Sequence, residues 1–230
     1  MKKFELTAEF VTNVFGHKLF RIKALVAFGD VEKGELGGFI EKEDNLSHDG
    51  NAWVYGNAQV YGDAWVYGDA QVYGNAQVSG NAQVYGDAQV SGDAQVSGNA
   101  WVYGDAQVYG NAQVYGDAQV YGNARVFGNA QVSGDARVSG DAQVYGDADY
   151  AAVAGFGRYS RTTTFFRCKD KILRVQCGCF YGDLAQFREI VKKTHGDSKY
   201  AKEYLAIADL MELHFSDECG GEQMNDGKIY

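Results

Sequence analysis

The sequence predicts an all-β protein built around a parallel β-helix of about five coils. Sixteen unbroken hexapeptides of the form Gly-Asn/Asp-Ala-x-Val-z fill residues 50–145. The chain holds 30 glycines and no proline, which indicates that glycine serves a periodic turn. Composition changes on both sides of the repeat. We therefore expect an N-terminal β cap over 1–49, the β-helix over 50–149, and a small α+β domain with a β-hairpin and two helices over 150–230.

Each hexapeptide is predicted to form a short strand followed by a corner. Ala and Val alternate with x and z, which is the period-2 pattern of a strand with one buried face. The Gly-Asn or Gly-Asp pair supplies residues that tolerate positive φ. A helix is excluded, because a glycine every six residues would cost about 1 kcal/mol apiece. One such strand cannot bury its own Ala and Val, so successive coils must stack.

The spacing of the apolar residues resembles the hexapeptide-repeat, left-handed parallel β-helix family. In that family an aliphatic residue is followed four positions later by a small one, as Val54 is by Ala58 and Val60 by Ala64. The resemblance implies three hexapeptides per coil and a left-handed winding. The periodicity by itself does not show the handedness.

Three hexapeptides per coil place every third hexapeptide in one column, so the prism has three walls. The second wall stacks glutamines, whose amides we expect to bond from layer to layer: Gln59, Gln77, Gln95, Gln113 and Gln131. The first wall is aromatic and has acidic corners; it carries Trp53, Tyr55, Tyr73, Tyr109, Phe127 and Tyr145. The third wall carries the candidate binding face: Trp65, Tyr67, Tyr85, Trp101, Tyr103 and Tyr121.

Two interpretations of that third-wall face stay open. Tyr and Trp on a rigid surface are enriched in the cores and hot spots of protein interfaces. Aromatic residues also have high strand propensity, and stacked like residues stabilise a sheet. The face is therefore either a partner site or a support for the sheet.

Both flanks are predicted to cap the open ends of the β-helix. Residues 4–27 read as short strands around a turn at Asn13 and Gly16, and 44–49 read as a degenerate hexapeptide with Leu46 at the Ala position and His48 at the Val position. After the repeat, 162–168 and 172–177 form a hairpin pattern. Asp183 as N-cap and Gly196 as stop predict a helix over 184–195. A second helix over 199–214 carries an apolar stripe: Tyr200, Tyr204, Ile207 and Met211.

The flanks carry a second resemblance. Residues 36–56 (LGGFIEKEDNLSHDGNAWVYG) and 162–205, from TTTFF through CGCFYG to KKTHGDSKYAKEYL, are similar to bacteriophage and prophage proteins in which a hexapeptide β-helix lies between such ends. The resemblance implies a phage origin and carries no activity with it.

Catalysis on the repeat is not expected, although hexapeptide-repeat proteins include acyltransferases. Those enzymes use a histidine as general base in a cleft between coils, often near an extruded loop. Here none of the four histidines lies between residues 49 and 194, and no loop interrupts the repeat. Cys168, Cys177 and Cys179 with His195 lack the spacing of a zinc site, and core packing is the preferred interpretation of these thiols. No cofactor and no metal are expected.

Charge and composition limit the partners. Residues 50–149 carry 2 Lys or Arg against 10 Asp, a net −8 of the chain's −9. Direct binding of nucleic acid by the repeat is therefore disfavoured, and partial mimicry of nucleic-acid charge is a weak alternative. The start has no apolar segment of a signal peptide, and no run is long enough to cross a bilayer. The cysteines lie in the last third, which favours reduced thiols and a cytoplasmic location.

The sequence thus predicts a non-catalytic phage-type binding or scaffold protein. We expect its partner to be a host or phage macromolecule, and specifically a protein. Inhibition of a host defence protein fits that context. A degenerate acyltransferase is the alternative of a different class. Because both ends are capped, any self-assembly is expected to be lateral rather than end to end.

Overall fold

A computed structural model describes residues 2–146 and 149–216 of the 230-residue chain. Its middle is a parallel β-helix in which each hexapeptide contributes a two-residue strand at positions x and Val. The sixteen strands, β4 to β19 in chain order, are Trp53–Val54, Gln59–Val60, Trp65–Val66, Gln71–Val72, Gln77–Val78, Gln83–Val84, Gln89–Val90, Gln95–Val96, Trp101–Val102, Gln107–Val108, Gln113–Val114, Gln119–Val120, Arg125–Val126, Gln131–Val132, Arg137–Val138 and Gln143–Val144.

Every third strand pairs in parallel, which confirms the three walls. The first wall is β4-β7-β10-β13-β16-β19, the second contains β5-β8-β11-β14-β17, and the third is β6-β9-β12-β15-β18. Each pair is offset by eighteen residues, as Gln89 is from Gln107. Inside, the repeat Ala and Val side chains are 0–1% exposed and form one continuous core. The sequence therefore predicted both the buried positions and the column in which each hexapeptide lies.

The β-helix has about six turns rather than the five expected from the hexapeptides alone. Strand β3 (Leu36–Ile40) pairs in parallel with β5 and adds a layer to the second wall. Leu46 forms a parallel bridge to Val66 and adds a layer to the third wall. Residues before the repeat therefore form a first turn whose sequence does not follow the hexapeptide pattern.

The prediction for 44–49 was wrong in register. Leu46 lies opposite Val66, a Val position, whereas the sequence interpretation placed it at an Ala position. The offset here is 20 residues, as it is for Ile40 and Val60. Leu46 and Val54 are eight residues apart, whereas Val66 and Val72 are six apart, so the first turn holds two extra residues after Leu46 and the eighteen-residue count does not extend backward through it.

Two buried polar side chains bond backbone carbonyls at the N-terminal end of the β-helix. Lys3 is 3% exposed and its Nζ donates to the Ala52 and Gly50 carbonyls at 2.8 and 3.3 Å. Asn45 is fully buried and its Nδ2 donates to the Ala64 and Gly62 carbonyls at 2.8 and 3.1 Å. In the β-helix the carbonyls of one coil accept from the N–H groups of the preceding coil. At this end side chains supply those donors instead, because buried backbone carbonyls need hydrogen-bond partners. Burial is the main cause that lowers the pKa of Lys3 to about 8.

The rest of the N-terminal cap is an antiparallel hairpin, as predicted. Strands β1 (Phe4–Thr12) and β2 (Lys18–Ala24) pair with each other, and β2 pairs with β3, so the hairpin extends the second wall. Phe4 is fully buried in the main core and lies 4.3 Å from His48, measured between ring centroids. The hairpin therefore covers both the end of the core and the start of the second wall.

A four-stranded antiparallel sheet closes the other end. It contains the expected hairpin, β21 (Arg161–Arg167) and β22 (Leu173–Cys177), with two strands that the sequence interpretation missed, β20 (Tyr150–Phe156) and β23 (Phe180–Asp183). On β21, Phe166 joins the core of the β-helix while Phe165 joins a second core under the helices. Because side chains alternate along this strand, one face of the sheet packs on the core of the β-helix and the other face packs on the core under the helices.

Two helices pack on the far side of that sheet, with the bounds predicted. Helix α1 is Leu184–His195, with an Asp183–Gln186 capping box, and α2 is Lys199–His214. Tyr204, Ile207 and Met211 are buried as expected, but Tyr200 is 38% exposed. Ala201 and Ala208 lie on the buried face instead, so the stripe runs beside Tyr200 rather than through it.

Candidate functional site

The third-wall aromatic face is a regular stack of tyrosine rings. The centroid distances are 4.7 Å for Tyr67–Tyr85, 4.9 Å for Tyr85–Tyr103 and 5.0 Å for Tyr103–Tyr121, with interplanar angles of 8°, 1° and 4°. These distances match the spacing of layers in a β-sheet, so each coil presents its ring directly over the previous one. Parallel stacked contacts between like residues of this kind stabilise neighbouring layers. The tyrosines therefore have a structural role whatever else they do.

The electrostatic state of the stack follows from its half-buried position. Burial is the main cause that raises the pKa of Tyr67, Tyr85 and Tyr103 above the ordinary value for tyrosine. The Tyr67 hydroxyl donates to Gln83 Oε1 at 3.2 Å. The Tyr67, Tyr85 and Tyr103 rings are thus uncharged at neutral pH.

The two tryptophans differ from each other in their contacts. Both hold position x on the third wall, and Trp65 and Trp101 are 43% and 38% exposed. Trp65 stacks on Tyr67 with 4.0 Å between centroids. Trp101 has no ring contact among residues 2–146 and 149–216. All six predicted residues therefore share one wall, and Trp101 is the large exposed aromatic least engaged in supporting it.

The first wall is less open than predicted. Trp53 is fully buried, with Phe28 and Phe4 at 5.4 and 6.2 Å between centroids. Packing of the N-terminal cap over the first coil explains this difference from the expected surface position. Further along, Tyr109 stacks on Phe127 at 5.0 Å, but Ser91 interrupts the column between Tyr73 and Tyr109. The longest unbroken aromatic stack thus lies on the third wall.

The expected glutamine ladder is replaced by a ladder at the corners. The second-wall glutamines stack in register, yet no bond between their amides occurs within the described residues. Gln77 Oε1 instead accepts from the Tyr61 hydroxyl at 3.3 Å. Bonds donated by side-chain amides from one layer to the next join corner residues instead, as from Asn81 to Asn99 at 2.9 Å and from Asn99 to Asp117 at 2.9 Å. Where an asparagine precedes an aspartate in a column, as Asn99 does Asp117, its amide donates to the carboxylate of the next layer.

The thiols lie in the C-terminal part of the chain, and His17 lies in the N-terminal cap beside Tyr61 of the second wall. Cys168 is buried at the end of the main core, and burial raises the pKa of its thiol. Cys177 is half-buried and accepts from Thr163 Oγ1 at 3.2 Å, whereas Cys179 is exposed, so core packing was wrong for Cys179. His17 lies 2.8 Å from Glu41 in the N-terminal cap. Burial opposes ionisation of Glu41, but hydrogen bonds from His17 and the Gly62 N–H lower its pKa overall.

No metal site and no membrane span are found in the described part of the chain. Three or more His, Cys, Asp or Glu side chains placed to hold a metal ion do not occur together there. Neither of its helices is long and apolar enough to cross a bilayer.

A family model supports the repeat type. The model is described as the YdcK beta solenoid repeat, and it matches residues 58–74, 70–86, 76–92, 88–104, 94–110, 106–120, 118–131 and 130–146. The hexapeptides are similar to YdcK solenoid repeats. The matches fall inside the β-helix and leave both flanks outside them. A comparison with curated proteins finds no match.

Sequence reasoning missed one concave site. Arg137, Tyr159, Arg161 and Thr162 meet in a cavity where the third wall joins the C-terminal sheet. The available signal was Arg137, an arginine at a position x that glutamine fills in most hexapeptides. Its neighbours come from residues 159–162, whose placement depends on how that sheet packs.

Proposed function

We propose that this protein is a non-catalytic binding or scaffold protein that engages a protein partner through the third-wall aromatic face. The observation that carries the proposal is Trp101, which is 38% exposed and has no ring contact within the described residues, on a wall held flat by stacked tyrosines. A large aromatic on a rigid surface loses little conformational entropy on binding, which is how interface hot spots gain their energy.

The partner is proposed to be a host or phage macromolecule met in the cytoplasm. Support comes from the resemblance of both flanks to bacteriophage and prophage proteins. Inhibition of a host defence protein is the activity that best fits that origin. The resemblance is the sole support for this activity. The net −8 of residues 50–149 argues against nucleic acid as the ligand of this wall.

The test compares two surface substitutions that the repeat itself tolerates. Trp101→Gln places on the third wall the residue found at Gln83 and Gln119 of the same column. Tyr73→Ser removes an exposed aromatic from the first wall and matches Ser91, the next residue of its column. Each variant is measured for affinity, by calorimetry against a partner purified from host lysate, and for thermal stability.

Trp101→Gln should weaken binding by about 2 kcal/mol, roughly thirtyfold, and leave the melting temperature nearly unchanged. Tyr73→Ser should leave the affinity unchanged. If Trp101→Gln lowers the melting temperature and the affinity stays the same, the face supports the sheet and the proposal is wrong.

A further inference from the structure

A cavity lined mostly by polar residues lies at the C-terminal end of the third wall. Its volume is about 690 Å³, within the range of small-molecule sites. One side is the last coil, with Asp135 and Arg137, and the other is the turn before β21, with Tyr159 and Ser160, followed by Thr162 on β21 itself. Arg161 lines it from the first residue of β21.

Two arginines in this lining lack anionic partners. Neither Arg137 nor Arg161 has a carboxylate within ion-pairing distance in the described residues, whereas Arg21, Arg174 and Arg188 all do. A guanidinium carries five N–H donors in a planar fork that matches phosphate and carboxylate. Two unpaired forks facing one cavity therefore leave an unusual density of free donors.

The surroundings hold these donors in place. The Arg137 backbone N–H donates to Thr164 Oγ1 at 3.0 Å, which joins the last coil to β21. The Arg161 guanidinium lies 5.0 Å from the centre of the Tyr159 ring, a cation–π distance. Ser160 has a φ of 50°, a left-handed conformation that non-glycine residues seldom adopt. The turn is thus kept in a particular shape at the rim of the cavity.

The charge of the cavity contrasts with the rest of the β-helix. Asp135 contributes one carboxylate to the lining, against the two guanidiniums, and Arg158 lies beside them, 5.6 Å from the Tyr159 ring. The net charge here is positive on a repeat that carries −8 overall. An anion approaching the protein is therefore attracted to this end and repelled along the walls.

We propose that this cavity binds a phosphate monoester. The guanidiniums of Arg137 and Arg161 would bind the dianionic oxygens, and the hydroxyls of Ser160 and Thr162 would supply further donors. A phosphate offers three terminal oxygens to these four side chains, whereas a carboxylate offers two. The cavity is larger than one phosphate, so the remainder of the ester lies within it. The proposal does not rest on the aromatic face.

The experiment is calorimetry on the full chain at low ionic strength with three probes: O-phosphoserine, inorganic phosphate and acetate. Arg137→Gln is the test variant, and Arg125→Gln is its matched control. Both arginines occupy position x and are exposed, Arg125 on the first wall and Arg137 on the third, and both substitutions install the residue most common at that position. Arg161→Gln is a second variant from the other side of the cavity.

Arg137→Gln and Arg161→Gln should each weaken binding of O-phosphoserine about tenfold, and Arg125→Gln should change it less than about twofold. Tighter binding of O-phosphoserine than of inorganic phosphate would identify an ester as the ligand, and equal binding would identify free phosphate. The proposal is overturned if no heat is measured up to about 10 mM O-phosphoserine. It is also overturned if acetate binds as tightly as phosphate, or if Arg125→Gln weakens binding as much as Arg137→Gln does.

Discussion

Replacing Gly98 by Ala tests how closely the coils approach at their corners. Gly98 has a φ of 70°, and a Cβ added there would lie 2.9 Å from the backbone N of Gly116 in the next coil. Positive φ costs an alanine about 1–2 kcal/mol, offset by about 0.4–1 kcal/mol through the less flexible unfolded chain. Displacing the neighbouring backbone adds about 1–3 kcal/mol, the usual range for overpacking. The variant should lose about 2–4 kcal/mol of unfolding free energy.

Two other corner glycines separate the contact from the backbone strain. Gly134 has a φ of 63° and no atom within 4 Å of an added Cβ, and at Gly56 the nearest atom is 3.7 Å away. Each of these alanine variants should therefore lose only about 1 kcal/mol. Urea unfolding followed by circular dichroism measures all three on the same scale. Equal losses at the three sites would show that backbone strain, and not the approach of neighbouring coils, determines the requirement for glycine.

Three further measurements test the N-terminal cap and the prediction that the repeat is not catalytic. The pKa of Lys3 is about 8 in the folded protein, against 10.5 in the unfolded chain. Between these pH values the unfolded chain binds more protons than the folded protein. The free energy of unfolding should therefore rise by about 1–2 kcal/mol from pH 8 to 9.5. Lys3→Met should abolish this rise in urea unfolding, and an unchanged pH profile would contradict the assignment. Asn45→Ala leaves the Ala64 and Gly62 carbonyls without this donor and should cost about 1–3 kcal/mol, whereas a neutral result would show that water replaces the amide. Coenzyme A should give no binding heat by calorimetry, and micromolar affinity would restore the acyltransferase alternative.

The repeat could be predicted almost completely because each hexapeptide contains its own strand, corner and core residues. Stacking then follows from the period, and all six third-wall residues fell on one wall as expected. The errors lie where the period ends. Leu46 was placed at the wrong position because two extra residues lengthen the first turn. The burial of Trp53 depends on the packing of a cap whose position the repeat does not encode.

The hydrogen bonds along the walls depend on which side chains compete for the same acceptor atoms. A column of glutamines predicts an amide ladder, but tyrosine hydroxyls reach the glutamine oxygens and the ladder forms at the corners instead. The cavity joins Arg137 to residues 159–162 across the junction with the C-terminal sheet, which no periodic pattern relates. The left-handed winding implied by the family resemblance stays a prediction.

The offset of eighteen residues between stacked strands makes the length of this molecule a discrete quantity. Removing residues 80–97 would shorten the β-helix by one layer, roughly 4.8 Å, and would leave both ends facing the same walls. Removing six residues would instead turn the C-terminal sheet by about a third of a turn relative to the N-terminal hairpin. The Arg137 cavity would then no longer continue the tyrosine stack of the third wall. Evolution can therefore change the length of the β-helix by whole turns without changing the sequence of either end. Insertion or deletion of a single hexapeptide instead changes which surfaces lie on the same wall.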